Sequence, residues 1–241
     1  KEFNDIDKFV PKNKYLAVIP ARSGSKRLPN KNILPLGGHP LISYTINSVK
    51  ILSNLIDHIF TTDDENIREI ALSYGAFSPF IRPKNLAGDN ITNYDVMIHA
   101  INYLETKFSK DYDAYILLQP TSPFRSALDI VNSIKEFEKG DCPTLASVKG
   151  PFFKRHQIIK ELSSKDTSKL VNVGNHKPIY IYNASIYITS KEYFFSNRKI
   201  HNSPESYYIM NEYAIDIDTK EDYDIANLIF ERVNKNYLNI N

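Results

Sequence analysis

Four fixed cations crowd one short stretch of the chain. Arg22, Lys26, Arg27 and Lys31 lie within Ile19-Pro20-Ala21-Arg22-Ser23-Gly24-Ser25-Lys26-Arg27-Leu28-Pro29-Asn30-Lys31-Asn32. Like charges at this density repel one another unless an anion joins them. The apolar run Tyr15-Leu16-Ala17-Val18-Ile19 ahead of them reads as a buried strand. A Ser/Gly loop leaving such a strand is where α/β proteins hold phosphates, because its N–H groups point outward. Gly24 is the only glycine here, so the loop is neither a Walker A motif nor GxGxxG. Side-chain charge therefore has to supply most of the anion affinity. A bare surface turn of this composition would be a solvated basic loop; the strand before it favours an anion site.

A second constellation lies near the other end, in Ile215-Asp216-Ile217-Asp218-Thr219. Placed on a strand, Asp216 and Asp218 would face the same side. Two converging carboxylates are costly unless a cation sits between them. Mg²⁺ held by carboxylates and substrate phosphates suits that pattern. The competing reading is structural, since Thr219 and Asp222 have the spacing of a helix capping box. Paired with a loop suited to a triphosphate, the metal reading is the stronger one.

Other polar residues fall where strands should end. Gln119, in Gln119-Pro120-Thr121-Ser122-Pro123-Phe124-Arg125, offers both a donor and an acceptor to a sugar, while Thr121 and Ser122 also suit a strand end and helix cap. Arg82, in Arg82-Pro83-Lys84-Asn85-Leu86-Ala87-Gly88-Asp89, suits a base, a phosphate or plain solvent. Asp63 and Asp64 read as helix caps. The six histidines show no metal spacing and read as surface or core residues, and no Ser-His-Asp or Cys-His set is present.

The elements that must position these residues alternate. Strands are expected at 15–19, 58–62, 76–81, 114–118, 144–148 and 184–188, with a last strand ending at Ile217. Helices are expected from Pro40 to Val49, from Asp63 to Tyr74, over 94–108, from Ser126 to Lys139 and from Lys220. This rhythm predicts a Rossmann-like, doubly wound, mostly parallel sheet, with loops 20–32, 82–93 and 119–125 meeting at the carboxyl ends of its strands. Residues 1–14 read as a polar, disordered lead-in, and 15–241 as one domain. Between Lys149 and Asn183 the alternation breaks, which reads as a small inserted lobe.

With 30 basic and 28 acidic residues the net charge is +2, which gives no general pull toward nucleic acid or membrane. No apolar run approaches the roughly 18 residues of a membrane span. The first residues lack the apolar core of a signal peptide, and Cys142 is the only cysteine. The expectation is a cytoplasmic protein with a small anionic ligand.

Five separated motifs in order carry a resemblance to the CMP-sialic acid synthetases, cytidylyltransferases that activate nonulosonic acids. They are the Ala21–Asn32 loop, Arg82-Pro83 with Leu86-Ala87-Gly88-Asp89, the run from Gln119 to Arg125, Asn183-Ala184-Ser185-Ile186-Tyr187-Ile188, and Ile215–Thr219. The resemblance implies that Arg22, Ser25, Lys26, Lys31 and Asn32 grip the phosphates of CTP, with Arg22 and Lys31 catalytic. It further implies that Arg82 and the loop through Asp89 and Asn93 take the cytidine, that Gln119 contacts the acylamino sugar, and that Asp216 and Asp218 hold a catalytic Mg²⁺. It implies attack of the sugar's anomeric hydroxyl on the α-phosphorus, release of pyrophosphate, and a homodimer built through the 149–183 lobe. The chain departs from the family pattern in having no arginine in 171–182. An acidic sugar needs a cation there, and Lys154 with Arg155, or Lys177, takes that role. N-acetylneuraminate, legionaminic acid and pseudaminic acid all remain as substrates, and the related CMP-KDO synthetases share the chemistry. A catalytically silent nucleotide-binding homologue is the alternative from another class.

Overall fold

Burial along β1 (Tyr15–Pro20) sets the architecture. Tyr15, Ala17 and Ile19 enter one apolar cluster and Leu16 and Val18 another, so both faces of the strand are covered. The computed structural model describes residues 2–152, 179–210 and 213–233. Its strands continue as β2 (Pro35–Leu36), β3 (His39–Pro40), β4 (Asp57–Thr61), β5 (Ala114–Leu118), β6 (Thr144–Phe152), β7 (Ile179–Ser190) and β8 (Ser206–Met210). The helices are α1 (Glu2–Asp7), α2 (Leu41–Ile51), α3 (Glu65–Ser73), α4 (Asn93–Phe108), α5 (Ala127–Phe137), α6 (Lys191–Asn197) and α7 (Lys220–Arg232).

Six strands form one sheet in the order β4-β1-β5-β7-β6-β8. Five of them run the same way, and β7 is antiparallel to both neighbours. The expected Rossmann-like, mostly parallel sheet is therefore present, with one reversed strand. β6 and β7 pair antiparallel, and residues 153–178 between them lie outside the described residues. Buried residues of α2, α3 and α5 cover one face of the sheet, and those of α4 and α6 cover the other. A smaller cluster packs α7 against β2 and α2 through Leu36, Tyr44 and Phe230. The β2–β3 turn passes beneath the Phe230 ring at Gly37, whose φ is +57°. A Cβ there would lie 2.0 Å from ring carbons, so only glycine fits.

Several elements differ from expectation. Residues 76–81 form no strand; only Phe60 N–H to Phe77 O (2.8 Å) and Arg82 N–H to Thr62 O (2.8 Å) tie that segment to β4. Pro79 removes a donor between these two bonds. The last strand is β8, and Ile215–Thr219 is irregular. There Ile217 N–H donates to Thr121 O and Asp218 N–H to the Asp222 carboxylate, so the backbone bridges a loop and a helix cap instead of joining a ladder. Within the lead-in, Ile6 on α1 and Phe9 just after it are buried in the main core. The end of β6 and the start of β7 fall within the 149–183 segment assigned to the inserted lobe, and residues 153–178 of it lie outside the described residues.

Candidate active site

The three strands β1, β4 and β5 are mutually parallel, so the loops after them open at one edge of the sheet. A cleft of about 420 Å³ lies there. Arg22, Ser25, Lys26, Lys31 and Asn32 line it from the first loop. Arg82, Asp89 and Asn93 line it from the second side, and Gln119 and Asp218 from the third. The structure thus gathers the sequence-selected residues it describes around one cavity, with Asp216 set just behind.

The loop cations are neutralised in two pairs. Asp89 accepts from Arg22 Nη1 at 3.0 Å and lies 2.5 Å from Lys26 Nζ. Asp218 lies 2.7 Å from both Arg27 Nη2 and Lys31 Nζ. The bonds from Lys26 and then Arg22 hold the Asp89 carboxyl below its ordinary range. Exposed pairs of this kind contribute little net stability, and a phosphate offers the same cations stronger partners. Lys31 differs from the others, being only 13% exposed in its side chain.

Asp63 holds the loop in shape. Its carboxylate accepts the Ser23 backbone N–H at 3.1 Å and the Ser23 hydroxyl at 2.8 Å, and lies 3.5 Å from Arg82 Nη2. Burial pushes this carboxyl up, but the Ser23 hydrogen bonds and the Arg82 charge outweigh burial and hold it below 3.8. The expectation of two helix caps is corrected here: Asp64 alone caps α3, accepting from Ile67 N–H. Asn32, 5% exposed, donates to Arg22 O at 2.9 Å and so positions the loop backbone. Arg82 is buried and lines the cleft, and its Nε has no hydrogen-bond partner. Burial pulls its guanidinium below the ordinary value, with Asp63 opposing.

The 119–125 loop is pinned from beneath by Arg125. This fully buried side chain donates to Ser185 O at 2.8 Å, to Thr45 Oγ1 at 2.6 Å and to Gln119 O at 3.4 Å. Thr121 and Ser122 do not cap the following helix; Ser126 does, in a capping box with Asp129. Ser122 Oγ donates instead to Asn183 O.

The capping box of α7 is made by Thr219 and Asp222, which leaves Asp216 and Asp218 without a capping duty. Burial raises the Asp216 carboxyl; the Thr121 hydroxyl opposes this, and the charge of Asp218 raises it further. Asp216 Oδ1 has no hydrogen-bond partner. An orphaned carboxylate oxygen beside a second carboxylate fits a hard divalent cation. Among the described residues no group of three or more His, Cys, Asp or Glu side chains is placed to hold a metal, so such an ion would need ligand oxygens from substrate. Lys154 and Lys177 lie outside the described residues.

A second recess of about 330 Å³ adjoins the cleft, the two sharing Thr92, Asn93 and Gln119. Tyr187, Arg198 and His201 line its other side. Sequence reasoning missed this wall, because it is assembled from β7, the end of α6 and the loop before β8. Arg198 and His201 carry no motif, and the latter was read as a surface or core residue.

A layered α/β sheet with a cationic cleft at its strand ends defines a nucleotide-handling α/β protein. The chain belongs to the cytidylyltransferase family, whose model matches residues 16–238. It is 33% identical over 239 residues to the N-acylneuraminate cytidylyltransferase of Escherichia coli, a match covering 95% of this chain and 55% of that protein. This chain thus spans about half of that relative's length. It is 34% identical over 228 residues to the CMP-N,N'-diacetyllegionaminic acid synthase of Legionella pneumophila, covering 90% of this chain and 96% of the relative. Among solved structures, CMP:2-keto-3-deoxy-manno-octonic acid synthetase complexed with CTP superposes with a TM-score of 0.63 at 15% identity, covering 91% of this chain and all of that one. That likeness is one of fold.

Proposed function

We propose that the protein transfers CMP from CTP to an acidic nine-carbon sugar, releasing pyrophosphate. The observation that carries this reading is a cleft whose four loop cations are held, among the described residues, by Asp89 and Asp218 alone, beside the orphaned oxygen of Asp216. CTP phosphates take over Arg22, Lys26 and Lys31, with Ser25 and Asn32 shaping the loop around them. Arg82, Asp89 and Asn93 receive the cytidine side, and Gln119 faces the sugar. The anomeric hydroxyl then attacks the α-phosphorus, and the leaving pyrophosphate departs into the cation cluster. Such a site works by positioning and by neutralising developing charge. Asp216 and Asp218 are the residues that would hold Mg²⁺, which when bound offsets phosphate charge.

The acceptor is a nonulosonate of the N-acetylneuraminate, legionaminate or pseudaminate type. Its carboxylate falls to Lys154 or Lys177. The names of the two relatives support this class without choosing within it. We further propose a cytoplasmic homodimer. Its support is the apolar face formed by Tyr182 on β7 with Tyr207 and Ile209 on β8, all at least 49% exposed.

The test is pyrophosphate release from CTP with N-acetylneuraminate, di-N-acetyllegionaminate, pseudaminate and KDO in parallel, with and without Mg²⁺. Turnover that requires Mg²⁺ and is lost in Asp218→Ala is the expected result, and the best acceptor names the sugar. Tight CTP binding without turnover on any acceptor would overturn the enzyme reading.

A further inference from the structure

The recess beside the nucleotide cleft contains a polar relay that the proposed chemistry does not use. Glu205 is an almost fully buried carboxylate, its side chain 1% exposed. A carboxylate in such a place needs partners. The Tyr182 hydroxyl donates to its Oε2 at 2.8 Å; the half-exposed His201 has Nδ1 3.3 Å from Oε1, an oxygen that makes no hydrogen bond among the described residues. The His201 ring stacks on Tyr187, with centroids 4.5 Å apart and an interplanar angle of 23°. The loop carrying this histidine is tied to β6, since Thr144 Oγ1 donates to Asn202 O at 2.9 Å. The stack on Tyr187 turns Nδ1 toward the buried carboxylate, and the nitrogen left for a ligand is Nε2.

His201 lines the recess and not the nucleotide cleft, whereas Thr92, Asn93 and Gln119 line both. In a 2-keto sugar acid the carboxylate sits on the anomeric carbon itself, so both must lie near the α-phosphate. The far side of the recess therefore meets the opposite end of the sugar, where nonulosonates differ from one another in hydroxyl and acylamino groups.

We propose that His201 is a specificity-determining residue that hydrogen-bonds a hydroxyl or acylamino group at the sugar end remote from the anomeric carbon, and that Glu205 is its positioning residue. This inference rests on the acceptor reading above. A polar side chain packed in place disfavours an acceptor that lacks the matching group, because the polar atom is then left unpaired.

The test measures KM for CTP and for each nonulosonate separately, with CTP affinity by calorimetry as the check on folding. His201→Ala is expected to raise the acceptor KM about 3- to 10-fold, the scale of one hydrogen bond. It should leave the CTP KM within about 2-fold on that scale, and it should narrow the preference between N-acetylneuraminate and di-N-acetyllegionaminate. His201→Gln should recover part of the loss, and Glu205→Gln should shift the acceptor KM in the same direction. An unchanged acceptor KM in His201→Ala, or a matching rise in the CTP KM, overturns the inference alone. A wild-type protein that turns over no nonulosonate overturns it together with the acceptor reading.

Discussion

Lys31 and Asp216 carry opposite burdens in the unliganded site. Lys31 is the least exposed of the loop cations and shares Asp218 with Arg27. A charged hydrogen bond to phosphate contributes about 1.5–3 kcal/mol. Lys31→Ala is therefore expected to lower kcat/KM for CTP by roughly 10- to 100-fold with the fold intact, as steady-state kinetics and circular dichroism can show. Asp216 is the reverse case. Its carboxylate is half-buried, has one oxygen without a hydrogen-bond partner among the described residues and lies next to Asp218, so it costs stability when no cation is bound. Asp216→Asn should raise the melting temperature of the metal-free protein by roughly 2–4 °C, equivalent to about 1 kcal/mol, while abolishing turnover. A lowered melting temperature would mean that Asp216 is a structural residue and no ligand.

At the scale of elements, the phosphate loop depends on a neighbour. Asp63, at the exit of β4, accepts two bonds from Ser23 and faces the buried Arg82. Asp63→Ala removes all three contacts and strands a guanidinium that is 2% exposed. Breaking a buried pair in this way costs about 3 kcal/mol or more, so denaturant titration should show a destabilised protein that also binds CTP more weakly. The pH dependence follows from the direction of the shift. Because the Asp63 carboxyl is held below 3.8 in the folded state, its contribution is present above 3.8 and is lost as pH falls through the depressed value. Acid unfolding should accordingly be shallower over that interval in Asp63→Asn than in the wild type.

At the scale of the molecule, the paired strands β7, β6 and β8 leave an apolar face outward. Along β8 the pleat points Tyr207 and Ile209 to solvent, while Tyr208 packs inward with its hydroxyl on Asp129 at 3.0 Å. Tyr207→Lys combined with Ile209→Lys should halve the mass seen by light scattering if this face joins two copies. An unchanged mass would place any self-association elsewhere. Among the described residues no helix is long and apolar enough to cross a membrane.

Local sequence was enough wherever one periodicity and one motif coincided. The run 15–19, the Ser/Gly loop after it, the apolar run 114–118 and the Thr219–Asp222 cap each announce themselves within a few residues, because buried strands and caps are short-range solutions to backbone hydrogen bonding. The cation cluster was legible for the same reason, since charge density along the chain needs no partner to be seen. Tertiary structure alone decided what each charge does. It assigned Asp89 and Asp218 as counter-ions to the loop, turned Asp63 from an expected cap into the loop's brace, and took Ile215–Thr219 out of the sheet by engaging Ile217 and Asp218 N–H with distant acceptors. It also brought His201, Glu205, Tyr182 and Tyr187 together. Those contacts join residues far apart in the chain, and their energies come from burial and pairing that exist only once the sheet has placed them side by side.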